Sequence, residues 1–285
     1  MSRATRTSPV SEWFGKVVLL TARRTPRFIK RWLHNNRVLD RVTRQTFSKL
    51  VAIDSRVATM RSGPLAGLKL VFSEHVSRAD ISGLYELEVQ RSIDRYLPSG
   101  SICYDIGASI GYMSLLMARR ARHVYAFEPA PHAANELRKH VRSNGFDNIT
   151  LVPTPVSDSH RPVVFSLTDN AYGPRIVEGP SRWPISTLTT TTLDAFAATH
   201  PLPGFIKMDV EGEEGRVLRG AGALLERKAP TICCELHSEE AAQEVLDVLL
   251  PRGYRVTRLD GRPFTGGPVV PGEVHVMAVP PGYGQ

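Results

Sequence analysis

The stretch from Ile102 to Glu128 constrains this chain more than any other. An apolar run, Ile102–Ile106, ends in Gly107-Ala108-Ser109-Ile110-Gly111. A helix-like segment, Tyr112–Arg120, follows, and a second apolar run, Val124–Phe127, ends in the acid Glu128. A short apolar run bounded by glycine reads as a buried strand, and strand–helix–strand implies a right-handed crossover between parallel strands. The alternation continues with helix Ala133–Ser143 and strand Ile149–Pro153, then strand Phe205–Val210 and helix Glu214–Arg227, then strand Thr231–Leu236 and helix Glu239–Leu250. Before it come short strands within residues 61–80 and a helix over Leu84–Tyr96. A further strand, Val163–Leu167, leads into a Pro/Gly/Ser/Thr-rich stretch, Asp169–Thr192. The last two strands, Tyr254–Leu259 and Glu273–Val279, have no helix between them, so the final strand is expected to return antiparallel beside its predecessor. The expected fold is α/β: a doubly wound, Rossmann-like, mostly parallel sheet of seven strands with helices on both faces.

Of the 285 residues, 42% are hydrophobic and 22% charged, which is globular composition with enough apolar material for a full core. The three cysteines, Cys103, Cys233 and Cys234, lie in strand-like runs without metal or disulfide spacing and read as buried thiols. The net charge of +8 is uneven: residues 1–60 carry 13 Lys and Arg against only Glu12, Asp40 and Asp54. Residues 1–60 are therefore read as a basic arm and 61–285 as the main domain. Within the arm, a helix from Pro26 places Phe28, Trp32, Leu39 and Val42 near helical spacing among arginines. Such a helix can touch an anionic membrane surface, although packing on the main domain is the preferred reading. Val17–Leu20 is too short for a secretory leader and no run approaches a membrane span, so the cytoplasm is the expected location.

Ligands of a doubly wound sheet bind at the carboxyl ends of its strands. Gly107 permits a tight turn there and Gly111 close helix packing. Glu128, 21 residues after Gly107, can accept both hydrogen bonds of a ribose diol. A dinucleotide fingerprint would place glycine where Ser109 stands. Asp105, just ahead of the turn, would repel phosphate but suits the ammonium and sulfonium groups of S-adenosylmethionine. The cofactor candidates are Asp105, Gly107, Ala108, Ser109, Gly111, Glu128, Pro129, Ser157 and Asp158.

Four blocks in this order resemble the signatures of FkbM-type methyltransferases. They are Asp105-Ile106-Gly107-Ala108-Ser109-Ile110-Gly111, Ala126-Phe127-Glu128-Pro129, Thr192-Leu193-Asp194 and Ile206-Lys207-Met208-Asp209-Val210-Glu211-Gly212. Tyr85-Glu86 and Glu235-Leu236-His237 are further echoes, so the resemblance covers about residues 84–240. It implies the class I methyltransferase fold and methyl transfer to a hydroxyl oxygen, often on a polyketide, sugar or other secondary metabolite. The family's usual Asn is Ser109 here, which still offers a hydroxyl near the cofactor carboxylate.

The acceptor oxygen must be held near the methyl group and lose its proton. Asp209, Glu211, Glu235 and His237 fall at the ends of adjacent strands. His237 is the most natural base, with a capping or surface role as its alternative. Asp209 is an orienting group or base, and Glu211 could equally serve the helix N-terminus that follows it. Asp209, Glu235 and His237 could converge on a divalent cation, but no close-spaced motif requires one and the reading without metal is preferred. His123, His132 and His140 are expected at the surface and His275 in the core or at a sheet edge. Lys207, in an apolar strand, needs an acidic partner. The expected partner is a small hydroxyl-bearing molecule. A nucleic-acid methyltransferase is the alternative suggested by the basic arm. Asp209-Val210-Glu211-Gly212 lacks the Pro-Pro-Tyr or Pro-Cys of base-modifying enzymes, and an acidic site repels phosphate. An NAD-binding enzyme is the other alternative.

Overall fold

The computed structural model describes residues 57–60, 62–73, 76, 78–166, 175–177, 184–270 and 274–283. The basic arm and its helix from Pro26 lie outside the described residues, apart from 57–60. Along the chain come β1 (Val57–Thr59), β2 (Lys69–Val71), α1 (Arg78–Ser82), α2 (Leu87–Tyr96), β3 (Ile102–Ile106), α3 (Tyr112–Ala118), β4 (His123–Phe127), α4 (Pro131–Asn144) and β5 (Ile149–Val152). Then follow β6 (Pro162–Ser166), β7 (Arg175–Ile176), β8 (Ile185–Thr189), α5 (Leu193–Ala197), β9 (Phe205–Met208), α6 (Glu214–Arg219), α7 (Gly222–Lys228), β10 (Thr231–Leu236), α8 (Glu239–Leu249), β11 (Arg255–Arg258) and β12 (Val274–Val279).

The main sheet has seven strands in the order β11-β12-β10-β9-β3-β4-β5. The five from β10 to β5 run parallel, and β12 is antiparallel to both β10 and β11. Every residue of β9 and β10 is buried, as a strand covered on both faces requires. Alternate side chains feed two cores: Tyr104, Ile106, Ile206 and Met208 pack with Leu218 and Val245 on one face, and Cys103, Val124 and Phe205 with Ile93 and Leu115 on the other.

The expected strands are present to within a residue or two, with these differences. Of the short strands expected within 61–80, β2 lies there but its partner β1 precedes that stretch, at Val57–Thr59. β12 inserts between β11 and β10 and so touches more than its predecessor. The stretch expected to be irregular contains β7 and β8, which pair antiparallel with β6 as a separate small sheet. The helix expected over Glu214–Arg227 is two helices. They part around Gly220, where a Cβ would lie 2.4 Å from the Ser157 carbonyl, so the chain crosses a crowded spot there. α2 starts at Leu87 rather than Leu84 because Glu86 is left-handed, at φ 45°. His140 is not at the surface: it is fully buried, with Nδ1 2.8 Å from the Ile110 carbonyl.

Phe205 is fully buried at the centre of the sheet. Phe205→Ala should lower unfolding free energy by about 3–5 kcal/mol, read from urea denaturation; a loss well under ~1 kcal/mol would contradict this packing.

Candidate active site

Sheet register decides which polar groups meet. Asp105 of β3 sits opposite Lys207 of β9, and Glu235 of β10 opposite His275 of β12. By the two-residue period of a strand, all four project from one sheet face near the carboxyl ends. Lys207 is buried, and its ammonium donates to the Gly107 carbonyl at 3.3 Å and to Asp209 Oδ2 at 3.3 Å, with Asp105 Oδ1 at 3.9 Å. Burial opposes its charge, but Asp209 and Asp105 hold the ammonium above the ordinary lysine range. This supplies the acidic partners that Lys207 lacked in the sequence. Asp105 is fully buried and also accepts from Ser114 Oγ, so its carboxylate serves the lysine and helix α3. Burial pushes its carboxyl up, against the pull of Lys207.

The glycine turn is closed by its own surroundings. The Gly107 and Ala108 amides both donate to the Phe127 carbonyl, at 3.0 and 2.9 Å. The Ser109 amide donates to Glu128 Oε2 at 2.8 Å, and Glu128 Oε1 accepts from the Ala130 amide at 2.7 Å. Gly107 is required: its φ is +78°, and a Cβ would lie 1.8 Å from the Asp209 carbonyl oxygen. Ser109 is exposed at φ 50°, a left-handed conformation that asparagine adopts more readily than serine. Gly111, also left-handed, leads into α3. Burial raises the Glu128 carboxyl to about 7.

Beside this turn lies a small open cleft walled by Phe127, Pro129, Val156, Phe165 and Ile176, with Glu128, Glu213 and Arg175 also on its lining. Its mostly apolar walls with a few polar groups are the character of a small-molecule site. Each Glu128 oxygen keeps a lone pair for a ligand hydroxyl after accepting its backbone amide. Of the cofactor candidates only Gly107, Glu128 and Pro129 line it; Ala108, Ser109, Gly111, Ser157 and Asp158 do not, and Asp105 is fully buried on Lys207 and Ser114 instead. Ser157 is fully buried and donates to Glu213 Oε2 at 2.9 Å, while Asp158 lies 3.9 Å from Arg219. The preceding residues Thr154–Val156 reach the cleft in their place, because Val156 then pairs with Thr191 and draws the chain away.

The three catalytic candidates converge. Nδ1 of His237 is 2.6 Å from Glu214 Oε1, and Nε2 is 3.5 Å from Asp209 Oδ1 and 3.7 Å from Glu211 Oε2. Glu235 Oε1 lies 3.6 Å from the same Nε2, and Glu235 Oε2 is 3.2 Å from His275 Nε2. Burial disfavours the His237 imidazolium, yet the Glu214 hydrogen bond and the surrounding carboxylates raise it to about 9. Burial raises Glu211 to about 7, with the His237 charge opposing. Glu211 is left-handed at φ 55°, a strained conformation that marks an over-determined position.

Glu86 and Glu214 were not singled out as site residues, and His275 was placed only in the core or at an edge. The buried Gln90 amide clamps the Gly83 and Tyr85 carbonyls at 3.1 and 2.6 Å, setting Glu86 beside Glu235 and His275. The Tyr85-Glu86 pair was the only signal for it.

The sequence pattern of the methyltransferase FkbM domain matches residues 105–256, just over half of the chain. The chain belongs to the FkbM methyltransferase family. Its doubly wound sheet, with one antiparallel strand inserted near the edge, is the class I methyltransferase fold. Hexuronic acid methyltransferase AglP of Haloferax volcanii is 24% identical over 209 residues, 70% of this chain and 82% of that protein. An uncharacterized protein of Methanocaldococcus jannaschii is 27% identical over 63 residues, and the match spans 22% of this chain and 24% of that protein. Among solved structures, the methyltransferase FkbM of Methylobacillus flagellatus is similar at 15% identity and TM-score 0.41, over 71% of this chain and 55% of that one. No helix among the described residues of this FkbM-family chain is long and apolar enough to cross a membrane.

Removing the lysine should expose how tightly this family member's site depends on it. Lys207→Met leaves buried Asp105 uncompensated and should cost about 3–5 kcal/mol. Adding Asp105→Asn should recover part of that loss; strict additivity in a denaturation-based double-mutant cycle would contradict the pairing.

Proposed function

We propose that this chain is an S-adenosylmethionine-dependent O-methyltransferase acting on a hydroxyl of a small molecule, a sugar or other secondary metabolite. The observation that carries the reading is the polarity of the cleft. The amides that would grip a pyrophosphate are already taken by Phe127 and Glu128, so the turn offers acceptors rather than donors. That suits a ribose diol and a cationic ligand better than a phosphate, and it disfavours the NAD reading. When bound, S-adenosylmethionine supplies an electrophilic methyl on a sulfonium.

The chain's own residues do the rest. Glu128 accepts from the ribose hydroxyls, and the apolar walls flank the base. Gly107 brings the cleft against Asp209, where the acceptor hydroxyl enters. Asp209, steadied by Lys207 on Oδ2, orients that hydroxyl and accepts its proton; Glu211 and His237 stand next to it. The acidic character of this end disfavours a nucleic-acid substrate. AglP, named for a hexuronic acid acceptor, makes a sugar-like hydroxyl the first class to screen. A cytoplasmic location is part of this reading.

Calorimetry with S-adenosylhomocysteine tests it. Wild type should bind and Glu128→Ala should not; a wild type that fails to bind ends the proposal. Glu128 accepts as a carboxylate, with Lys207 and Asp105 as the charged groups acting on it. Its carboxyl is raised to about 7, so affinity should rise as pH increases through that value. Glu128→Gln should flatten this dependence.

Asp209→Asn should keep that affinity while lowering kcat by about 10²–10⁴-fold, measured with any acceptor that wild type turns over. Unchanged kcat would remove Asp209 from the chemistry.

A further inference from the structure

The carboxylates around His237 are arranged in a way that hydrogen bonding does not account for. The ring is nine-tenths buried, with a side-chain exposure of 10%. Nδ1 is fixed by Glu214, which is itself fully buried and also accepts from the Gly212 amide at 3.1 Å. That leaves Nε2 aimed between three oxygens, from Asp209, Glu235 and Glu211, at 3.5, 3.6 and 3.7 Å. None of the three is a hydrogen bond. The donor atoms of Asp209, Glu211 and His237 all lie within 4.8 Å of one another.

We infer that Nε2 of His237 and the facing carboxylate oxygens of Asp209 and Glu211 form a divalent-cation site, with Glu214 as the residue that orients the imidazole. A metal-binding histidine characteristically gives its other ring N–H to a carboxylate, as Nδ1 does here. Metal–ligand bonds of about 2.0–2.2 Å put neighbouring donors about 3.0–3.5 Å apart, and the Nε2 distances of 3.5 Å to Asp209 and 3.7 Å to Glu211 lie close to that span. One imidazole with carboxylate oxygens suits a Mn²⁺-like ion better than a thiolate-seeking one. The other oxygen of Asp209, Oδ2, is already committed to Lys207, so Oδ1 is the one turned to His237.

The ion's binding follows from these donors alone; its role rests on the transferase reading above. Bound here, it would take the acceptor hydroxyl oxygen as a further ligand and acidify it, easing the proton's transfer to Asp209. It would also neutralise carboxylates that otherwise crowd one imidazole.

The test is titration of the chelator-treated full chain with Mn²⁺, following free Mn²⁺ by electron paramagnetic resonance. Wild type should take up the ion, while His237→Gln and Glu211→Gln should lose it. Glu214→Gln, which keeps every direct ligand, should weaken it by about 10–100-fold. Glu211 is 26% exposed in its side chain, so Glu211→Gln decides the matter should His237→Gln fail to fold. Absence of uptake by wild type, or uptake unchanged by Glu211→Gln, would overturn the site and leave the His237 imidazolium as the cluster's own counter-charge. S-adenosylhomocysteine calorimetry on the same samples separates the two proposals: nucleoside binding without Mn²⁺ uptake overturns the ion alone, and Mn²⁺ uptake without nucleoside binding upholds the ion and overturns the transferase reading.

Discussion

One buried ammonium holds the centre of this molecule together. Lys207 lies in a strand with no exposed residue, yet it reaches Asp105, Asp209 and the carbonyl of Gly107. Those three groups belong to the end of β3, the turn after it and the end of β9, which are the walls on either side of the sheet's central seam. A charge taken out of water persists only with close partners. The lysine therefore fixes the separation of the two strand ends, and the glycine turn and the acidic cluster inherit their positions from that separation. The Gly107–Asp209 approach, too close for any side chain at position 107, belongs to the same constraint.

Much of this was legible in the sequence, and the divide between what was and was not is physical. Strands such as Ile102–Ile106 and Thr231–Leu236 announce themselves because burial on both faces demands unbroken apolar runs. Glu128 was legible because it follows a strand end at a fixed distance from a glycine turn. Asp209, Glu211 and His237 could be brought together from topology, since adjacent parallel strands deliver their carboxyl ends to one place. What depended on register could not be read. Nothing local says that Asp105 faces Lys207, or that β12 slides between β10 and β11 and sets His275 against Glu235. Ser157 and Asp158 follow the correct strand, but a single bridge between Val156 and Thr191 turns them away from the cleft. The break at Gly220 answers to a carbonyl more than sixty residues earlier in the chain, which helical propensity cannot sense.

The two halves of the site have opposite character. The cleft beside Glu128 is apolar with a few acceptors, whereas the region around His237 concentrates carboxylates on a single imidazole. Under the function proposed above, such a division would separate the task of holding an adenosine-like group from that of handling a hydroxyl and its proton. The FkbM pattern, which begins at Asp105 and ends at Val256, spans both.

The clamp made by Glu128 has a consequence for the energetics of recognition. By bridging the amides of Ser109 and Ala130, its carboxylate ties the loop after β3 to the start of α4 through the protein's own groups. The ordering of that loop is settled when the chain folds, so little conformational entropy is left to be lost when a guest arrives. A pocket preorganised in this way should accept its guest with small rearrangement, by lock-and-key fit rather than closure.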